Sequence, residues 1–406
     1  MNNGDTAWLL MSAALVMLMT PALGLFYGGM VHKKNLLSTI MYSFALLALV
    51  SILWIFYGYS LSFGPDVKGW GLIGGLKWLG LHGVTQTANP DYGPSVPHIA
   101  FMIFQMMFAV ITPALISGAL VERIKFSSFL IFTIVWSTLV YAPVAHWVWG
   151  VGGWLRQMGA LDFAGGIVVH ITAGFAALAF AMVIKKRRGF SDGSMEPNNI
   201  PFTLIGASLL WIGWFGFNGG SAIGANGIAA VAFLNTNTAG AASGLTWMLI
   251  NWFHRKPSAL GMATGAVVGL AAVTPASGYI EPGAAVVIGI VAAVISYSCI
   301  NLRNKWKIDE SLDVWACHGM GGLWGVIAVG IFASKAVNPA GANGILYGEW
   351  RLFGAQLLAA AVVVIFSFAL TFGTAKVIDR FWGLSVSEAE EKVGLDISQH
   401  GEEAYY

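Results

Sequence analysis

Charged residues are scarce in this sequence. Asp, Glu, Lys and Arg make up 10% of its 406 residues, whereas a soluble domain carries about 25%. Hydrophobic residues reach 57%, and the mean hydropathy is +0.72. The composition therefore indicates a polytopic protein of the lipid bilayer, and the net charge of +2 gives no sign of nucleic-acid binding.

Three other features are also rare or missing. The sequence has two cysteines, no basic residue before its first apolar segment, and few carboxylates inside the apolar segments. Cys299 and Cys317 fall in apolar segments without disulfide or metal-ligand spacing, so we interpret them as small core residues. No Lys or Arg precedes the first apolar segment, which we therefore expect to be retained rather than cleaved as a signal peptide. Ion-coupled pumps use intramembrane Asp and Glu as relays, so their scarcity favours a narrow apolar conduit.

Long apolar runs are abundant. About 20 apolar residues cross a bilayer as a helix, and eleven such runs follow one another through residue 375. We predict an all-α transmembrane domain over residues 1–375 and a tail over residues 376–406. The predicted spans 1 to 11 cover residues 6–30, 36–61, 98–121, 128–149, 164–184, 201–220, 227–252, 259–276, 282–302, 314–334 and 351–375.

Basic residues are distributed unevenly between the loops. If the N-terminus is outside, sixteen of the 21 Lys and Arg residues lie in the inside loops and tail, and five lie outside. Lys and Arg accumulate on the cytoplasmic side of membrane proteins. We therefore predict an external N-terminus and a cytoplasmic C-terminal tail.

Short motifs recur five spans apart. AVITPA (109–114) in span 3 matches AAVTPA (271–276) in span 8, and GLFYGG in span 1 matches GWFGFNGG in span 6. His170 in span 5 and His318 in span 10 form a third pair. An odd offset inserts the two halves in opposite directions, so we predict a five-plus-five inverted repeat with the working site between the halves.

His170 and His318 are ionisable side chains at membrane depth, where such residues usually have a function. If the repeat brings them together, the two imidazoles could pass a hydrogen bond or a proton along an apolar pore. The alternative is that both are structural and bond to backbone carbonyls. We favour the pore because the histidines are related by the repeat.

Aromatic residues cluster near the predicted outer ends of three spans. Most of the 17 Trp are best interpreted as an interfacial belt. The functional alternative is an aromatic cage that binds a small cation through ring faces, with a hydroxyl acceptor. The candidate residues for such a cage are Phe104, Phe108, Trp149, Trp214, Phe217 and Ser221.

Three aspartates precede the histidine spans. Asp162 comes just before span 5, where it could cap the helix N-terminus, attract a cation to the outer mouth, or do both. Asp309 and Asp313 come before span 10, and we expect them to cap that span and face the cytosol.

Longer motifs around these residues are similar to those of one known family. They are FQMMFAVITPALISGALVERIKF (104–126), DFAGGIVVH (162–170), WFGFNGGSA (214–222), IDESLDVWACHG (308–319) and GLDISQHGEEAY (394–405). With these motifs the chain resembles, over essentially its whole length, the ammonium transporter family (Amt/MEP, related to Rh proteins). The resemblance is specifically to the bacterial and archaeal AmtB-like members.

The resemblance implies an ammonium-binding site at the outer mouth. Trp149, Phe108 and Ser221 would bind the cation. Asp162 would support this site, and Trp214 would line the pore beneath it.

The resemblance also implies a gate and a pore. Phe108 stacked with Phe217 would form the gate, with Phe104 on the same helix face as Phe108. His170 and His318 would line the apolar pore, through which ammonia passes after ammonium has lost a proton.

Further implications concern the surroundings of the protein. The resemblance implies a homotrimer in the inner (cytoplasmic) membrane, without a metal or cofactor. It also implies closure from the cytosol by a PII-type (GlnK-like) signalling protein that docks on the inside loops and tail.

Two other functions stay open. An ammonium sensor of the same fold would bind the cation with little flux, although about thirty residues after span 11 are few for an output domain. A membrane enzyme with histidine-bound metal or haem would need more ligands. Only Cys317 is adjacent to His318, and it would point to the other side of its helix.

Overall fold

Helices dominate the computed structural model, which describes residues 1–190 and 196–405. The last residue of the predicted tail, Tyr406, lies outside the described residues. A two-stranded antiparallel pairing of β1 (Ala88–Asn89) and β2 (Gly93–Pro97) lies in a loop. In chain order the α-helices are α1 (Asn3–Gly28), α2 (Leu36–Leu53), α3 (Tyr59–Phe63), α4 (His98–Ser117), α5 (Phe126–Trp136), α6 (Ala142–Trp149), α7 (Trp154–Gln157), α8 (Thr172–Ala181), α9 (Ile200–Gly220), α10 (Gly227–His254), α11 (Ala259–Val273), α12 (Pro282–Lys305), α13 (Gly321–Phe332), α14 (Arg351–Trp382) and α15 (Glu388–Val393).

Each of the eleven predicted spans overlaps one of these helices or a continuous run of them. Within the described ranges, eight helices or continuous helical runs are long and apolar enough to cross a membrane. Two more, Gly166–Ala181 and Ala259–Val273, are apolar but shorter, and α10 is long but less apolar. The chain is therefore a multi-pass helical membrane protein, whereas the count of eleven, the repeat and the orientation stay predictions.

The helices pack around two histidine-bearing segments. π-helical turns at Gly166–Ile171 and Trp315–Met320 contain His170 and His318 and continue directly into α8 and α13. Such turns are rare and occur mostly at functional sites. The sequence pattern gave no indication of them, because a single extra residue per turn does not change an apolar stretch.

These two segments approach each other backbone to backbone. A Cβ atom built on Gly174 would lie 2.1 Å from the backbone nitrogen of Gly319 and 2.2 Å from its Cα atom. Small residues at helix crossings allow this close contact in membranes. The crossing lies one turn after His170 and next to His318, so it determines how far apart the two imidazoles are.

A buried carboxylate caps each of the two segments. Asp162 accepts hydrogen bonds at the start of the first, and Glu310 accepts them from the backbone nitrogens of Val314 and Trp315 at 2.6 and 3.4 Å. The expectation that Asp309 and Asp313 cap span 10 was therefore wrong. Glu310 reaches the free N–H groups because Asp313 has a left-handed φ of 61° and turns the chain there.

Asp309 is instead buried between two arginines from other loops. Its carboxylate accepts from Arg123 Nη1 at 2.6 Å and from Arg187 Nη2 at 2.5 Å. Burial alone would raise the pKa of Asp309, but these two guanidinium groups hold it below its usual range. It thus joins two loops rather than facing solvent, and Asp313 pairs with Arg303 at 3.0 Å.

A second carboxylate at the same end of the molecule binds the loop after α1. Glu122 contacts His32 Nδ1 at 2.7 Å and Arg187 Nη1 at 3.0 Å. Burial would raise the pKa of Glu122, but His32 and Arg187 lower it to about 2. The hydrogen bond from this ionised carboxylate in turn raises the pKa of His32.

The tail packs on this end of the protein. Asp396 accepts from the backbone nitrogens of Leu37 and Ser38 at 3.0 and 2.8 Å, at the N-terminus of α2. Lys34 donates from Nζ to the backbone oxygens of residues 391 and 392. Gly394 has a φ of +113°, and its missing Cβ leaves room for the Lys34 backbone. The described part of the tail is therefore anchored rather than free.

Candidate functional site

A cavity of about 310 Å³ opens beside the first turns of α4, and we call it the vestibule. Its lining includes Trp149, Asp162 and Ser221, three of the predicted binding residues. Gln105 and Arg156 also line it, and neither was predicted from the sequence. The fold thus brings together residues from α4, the end of α6, the loop before His170 and the end of α9.

Trp149 is held by hydrogen bonds rather than lying loosely at a membrane interface. Its indole Nε1 donates to the backbone oxygen of Asp162 at 2.9 Å. Its own backbone oxygen accepts from Arg156 Nη1 at 2.6 Å. Ser221 Oγ donates to the backbone oxygen of Phe217 at 2.9 Å, which leaves its lone pairs available to a donor in the vestibule.

The Asp162 carboxylate is fully occupied by backbone donors. Oδ1 accepts from Gly165 and Gly166 at 2.8 and 2.6 Å, and Oδ2 accepts from Ile167 and Val168 at 2.8 and 3.0 Å. Each oxygen therefore uses both lone pairs. The geometry is that of a helix cap, with a negative charge close to the vestibule but without a free acceptor.

Stacked rings lie behind Trp149 and next to the vestibule, and the predicted Phe104, Phe108, Trp214 and Phe217 are not part of its lining. Phe108 and Phe217 stack with centroids 4.2 Å apart at 30°. Phe108 also meets Trp149 edge-on at 6.0 Å and Phe104 edge-on at 4.9 Å. Phe108 and Phe217 are each 1% exposed, so no open path leads past them.

The two predicted pore histidines are in contact behind these rings. Their Nδ1 atoms lie 3.2 Å apart, and both rings are buried. The His170 ring stacks near Phe217 at 6.1 Å and near Trp214 at 5.6 Å. Because the two Nδ1 atoms bond each other, the alternative in which both rings serve backbone carbonyls through these atoms does not hold.

Little space remains around the imidazoles. The cavity next to them has a volume of about 10 Å³ and is lined mostly by aliphatic residues, which is at the limit for one water molecule. Trp214 borders it but turns its Nε1 away to Thr274 Oγ1 at 2.9 Å. His170 Nε2 is buried without a hydrogen-bond partner in the described structure.

The residues that the structure describes offer no ligand set for a metal ion. No group of three or more His, Cys, Asp or Glu side chains comes close enough there to hold an ion.

Sequence reasoning missed Gln105, Arg156 and Glu310. A glutamine inside an apolar helix was the one signal that could have drawn attention to Gln105.

The fold and the site define a multi-pass membrane protein with an aromatic-lined cavity and, separate from it, a buried pair of histidines in contact. The model of the Ammonium Transporter Family matches residues 7–405, and the chain belongs to that family. The ammonium transporter Amt1 of Archaeoglobus fulgidus is 53% identical over 405 residues, covering 100% of both chains.

Solved structures agree with this assignment. The crystal structure of Candida albicans Mep2 is similar with a TM-score of 0.91 and 37% identity, covering 100% of this chain and 91% of that one. A structure described as a sensor Amt protein has a TM-score of 0.89 and 28% identity, covering 98% of each chain. The relatives are named as transporters or a sensor rather than as enzymes.

Proposed function

We propose that this protein transports ammonium across the cytoplasmic membrane. The family and the names of the relatives support ammonium as the cargo. The observation that carries the proposal is a continuous file of rings from Trp149 through Phe108 and Phe217 to the His170–His318 pair.

Ammonium is recruited at the vestibule. The ring faces of Trp149 and Phe108 attract a cation, and the free lone pairs of Ser221 Oγ accept one of its N–H groups. Asp162 contributes through its field and by holding the Trp149 indole, since its carboxylate is committed to backbone donors. Trp214 lines the path below.

The stacked phenylalanines then select the neutral species. Phe108, Phe217 and Phe104 exclude water, and an apolar passage disfavours charge. Ammonium can enter by releasing a proton and continuing as ammonia. Potassium has a similar size and charge but no proton to lose, so it stops at the gate.

The histidine pair provides the polar surface of the passage. Because the two Nδ1 atoms share one hydrogen bond, one ring donates and the other accepts in the neutral pair. The ring that accepts through Nδ1 carries its proton on Nε2, and the donating ring leaves Nε2 bare. The constriction therefore offers one donor and one acceptor to ammonia, whichever ring plays which part.

The arrangement in the membrane follows from the same reasoning. We infer eleven spans with the N-terminus outside and the tail in the cytosol, and the two capped π-helical turns around His170 and His318 support an inverted repeat. A homotrimer with one pore per subunit would cover part of the exposed apolar helix surface. The anchored tail and the basic loops beside it would receive the PII-type signalling protein.

Currents across a supported membrane loaded with the purified protein test the proposal. An ammonium pulse should give a saturable response and a potassium pulse none. The His170→Ala and His318→Ala variants should lose ammonium transport or lose the exclusion of potassium. If both variants transport ammonium normally and still exclude potassium, the proposed passage is wrong.

A sensor is the second candidate, and the 28% identity with the sensor Amt protein favours it. A sensor would bind ammonium without a current and without a change of internal pH in vesicles. Ammonium-dependent fluorescence of the tryptophans in a preparation that is silent in both flux assays would support this function.

A further inference from the structure

Gln105 carries a buried amide oxygen that finds no hydrogen-bond partner among the described residues. Its side chain lies on α4, three residues before Phe108, and is 8% exposed. Its Oε1 atom is buried and makes no hydrogen bond within the described structure. Buried polar atoms without a partner are uncommon and cost stability, so the atom calls for an explanation.

Gln105 is one of the residues that line the vestibule. Asp91, Tyr92 and Tyr279 also bring oxygen-bearing side chains to this lining, and the two that were predicted as binding residues, Asp162 and Ser221, differ in what they can still accept. Asp162 accepts from four backbone donors, whereas the Ser221 hydroxyl donates its O–H to the backbone oxygen of Phe217 and keeps its lone pairs. Two neutral oxygens, Ser221 Oγ and Gln105 Oε1, therefore accept no hydrogen bond within the described structure and could accept one from a ligand that brings its own N–H groups.

We propose that Gln105 is a substrate-binding residue whose carboxamide oxygen accepts an N–H of ammonium together with Ser221. The inference rests on the proposed function, because it takes ammonium as the ligand of the vestibule. Ammonium has four N–H donors, so two hydrogen bonds and the ring faces of Trp149 and Phe108 can be satisfied together. Neither acceptor carries a charge, so the cation is held without being trapped.

The test replaces the amide by apolar residues of similar size. Gln105→Leu and Gln105→Met should each raise the half-saturating ammonium concentration roughly ten- to a hundredfold, the range for losing one hydrogen bond to a charged group. The maximal flux should be retained, since the gate and histidines are unchanged. The probe is a pulse of ammonium chloride, compared with a pulse of sodium chloride at the same chloride concentration.

A matched control separates this role from a structural one. Gln356 is also buried, but its amide is satisfied by Leu161 and Val326. Gln356→Leu should therefore lower the melting temperature. The Gln105 variants should keep or raise it, since they remove an unpaired atom. A lower melting temperature for both Gln105 variants, with an unchanged half-saturating concentration, would overturn the proposal.

Gln105→Glu provides an opposite perturbation. A carboxylate at this position should lower the half-saturating ammonium concentration and allow potassium to compete, because charge attracts both cations alike. If potassium competes no more strongly in this variant than in the unmodified protein, residue 105 does not lie beside the bound cation.

The outcomes distinguish the inference from the proposed function. Binding is measured in parallel as the ammonium-dependent shift of the melting temperature, which depends on the dissociation constant. If the unmodified protein binds without flux, transport fails but the Gln105 variants still test the site. If it transports and these variants do not alter half-saturation, only the inference fails. If it neither binds nor transports, both fail.

Discussion

Gly174→Ala should separate the two histidine segments. The added Cβ would lie 2.1 Å from the Gly319 backbone nitrogen, whereas ordinary contact begins at 3.4 Å. The two backbones would have to move apart by roughly 1.3 Å, the difference between these distances. Both partners are backbone atoms, so no side chain can rotate away.

The expected cost follows from two opposing effects. Overpacking a well-filled contact costs about 1–3 kcal/mol, and the absence of a movable side chain places this case at the upper end. Replacing Gly by Ala in a helix otherwise gains about 0.4–1 kcal/mol by restricting the unfolded chain. The net loss should be about 2 kcal/mol, with the His170–His318 contact broken as well.

Gly373→Ala is the matched control, because a Cβ there meets no atom within 4 Å and the residue also lies in a long helix. Thermal unfolding of the purified protein should show a lower melting temperature for Gly174→Ala and an equal or higher one for Gly373→Ala. Ammonium flux should fall in the first variant alone. Equal melting temperatures and full flux in both would refute the close crossing of the two segments.

The remaining predictions concern the anchored tail and its loop. Asp396→Ala removes both acceptors and should weaken the cap of α2 by about 1 kcal/mol. Trypsin should then cut after Lys392 several-fold faster than in the unmodified protein, and an unchanged rate would mean that the tail is held elsewhere. The raised pKa of His32 means that its contact with Glu122 stabilises the fold fully below its ordinary pKa of 6.5, and that this contribution is lost as the pH rises through the raised value. The melting temperature of His32→Gln should therefore fall furthest below the unmodified protein in mildly acidic buffer and match it in alkaline buffer. A difference that does not vary with pH would show that the imidazole charge plays no part.

Much of the fold was predictable because lipid imposes simple rules. A long apolar run in a bilayer has to form a helix, since every backbone group must find its partner within the segment. Each predicted span accordingly overlaps a helix of the structure. His170 and His318 could be singled out for the same reason, because a polar ring among apolar residues needs an explanation whatever surrounds it.

Other features depended on contacts between distant parts of the chain. Asp309 was wrongly predicted as a cap, since its sequence position is suitable but Arg123 and Arg187 bind it from other loops. Asp162 sits where the sequence predicted, yet the occupation of its four lone pairs could be seen only once the following backbone had been folded. Gln105 gave a weak signal because one glutamine in an apolar helix has many possible partners.

The sequence by itself determined the family, the membrane location and the residues that stand out against an apolar background, because composition and local motifs carry that information. The tertiary structure decided which of those residues meet. Whether Phe108 stacks on Phe217, whether the two imidazoles touch and which vestibule oxygens remain free depend on helix crossings accurate to an ångström. Such distances arise from packing between segments remote in sequence, and no local pattern encodes them.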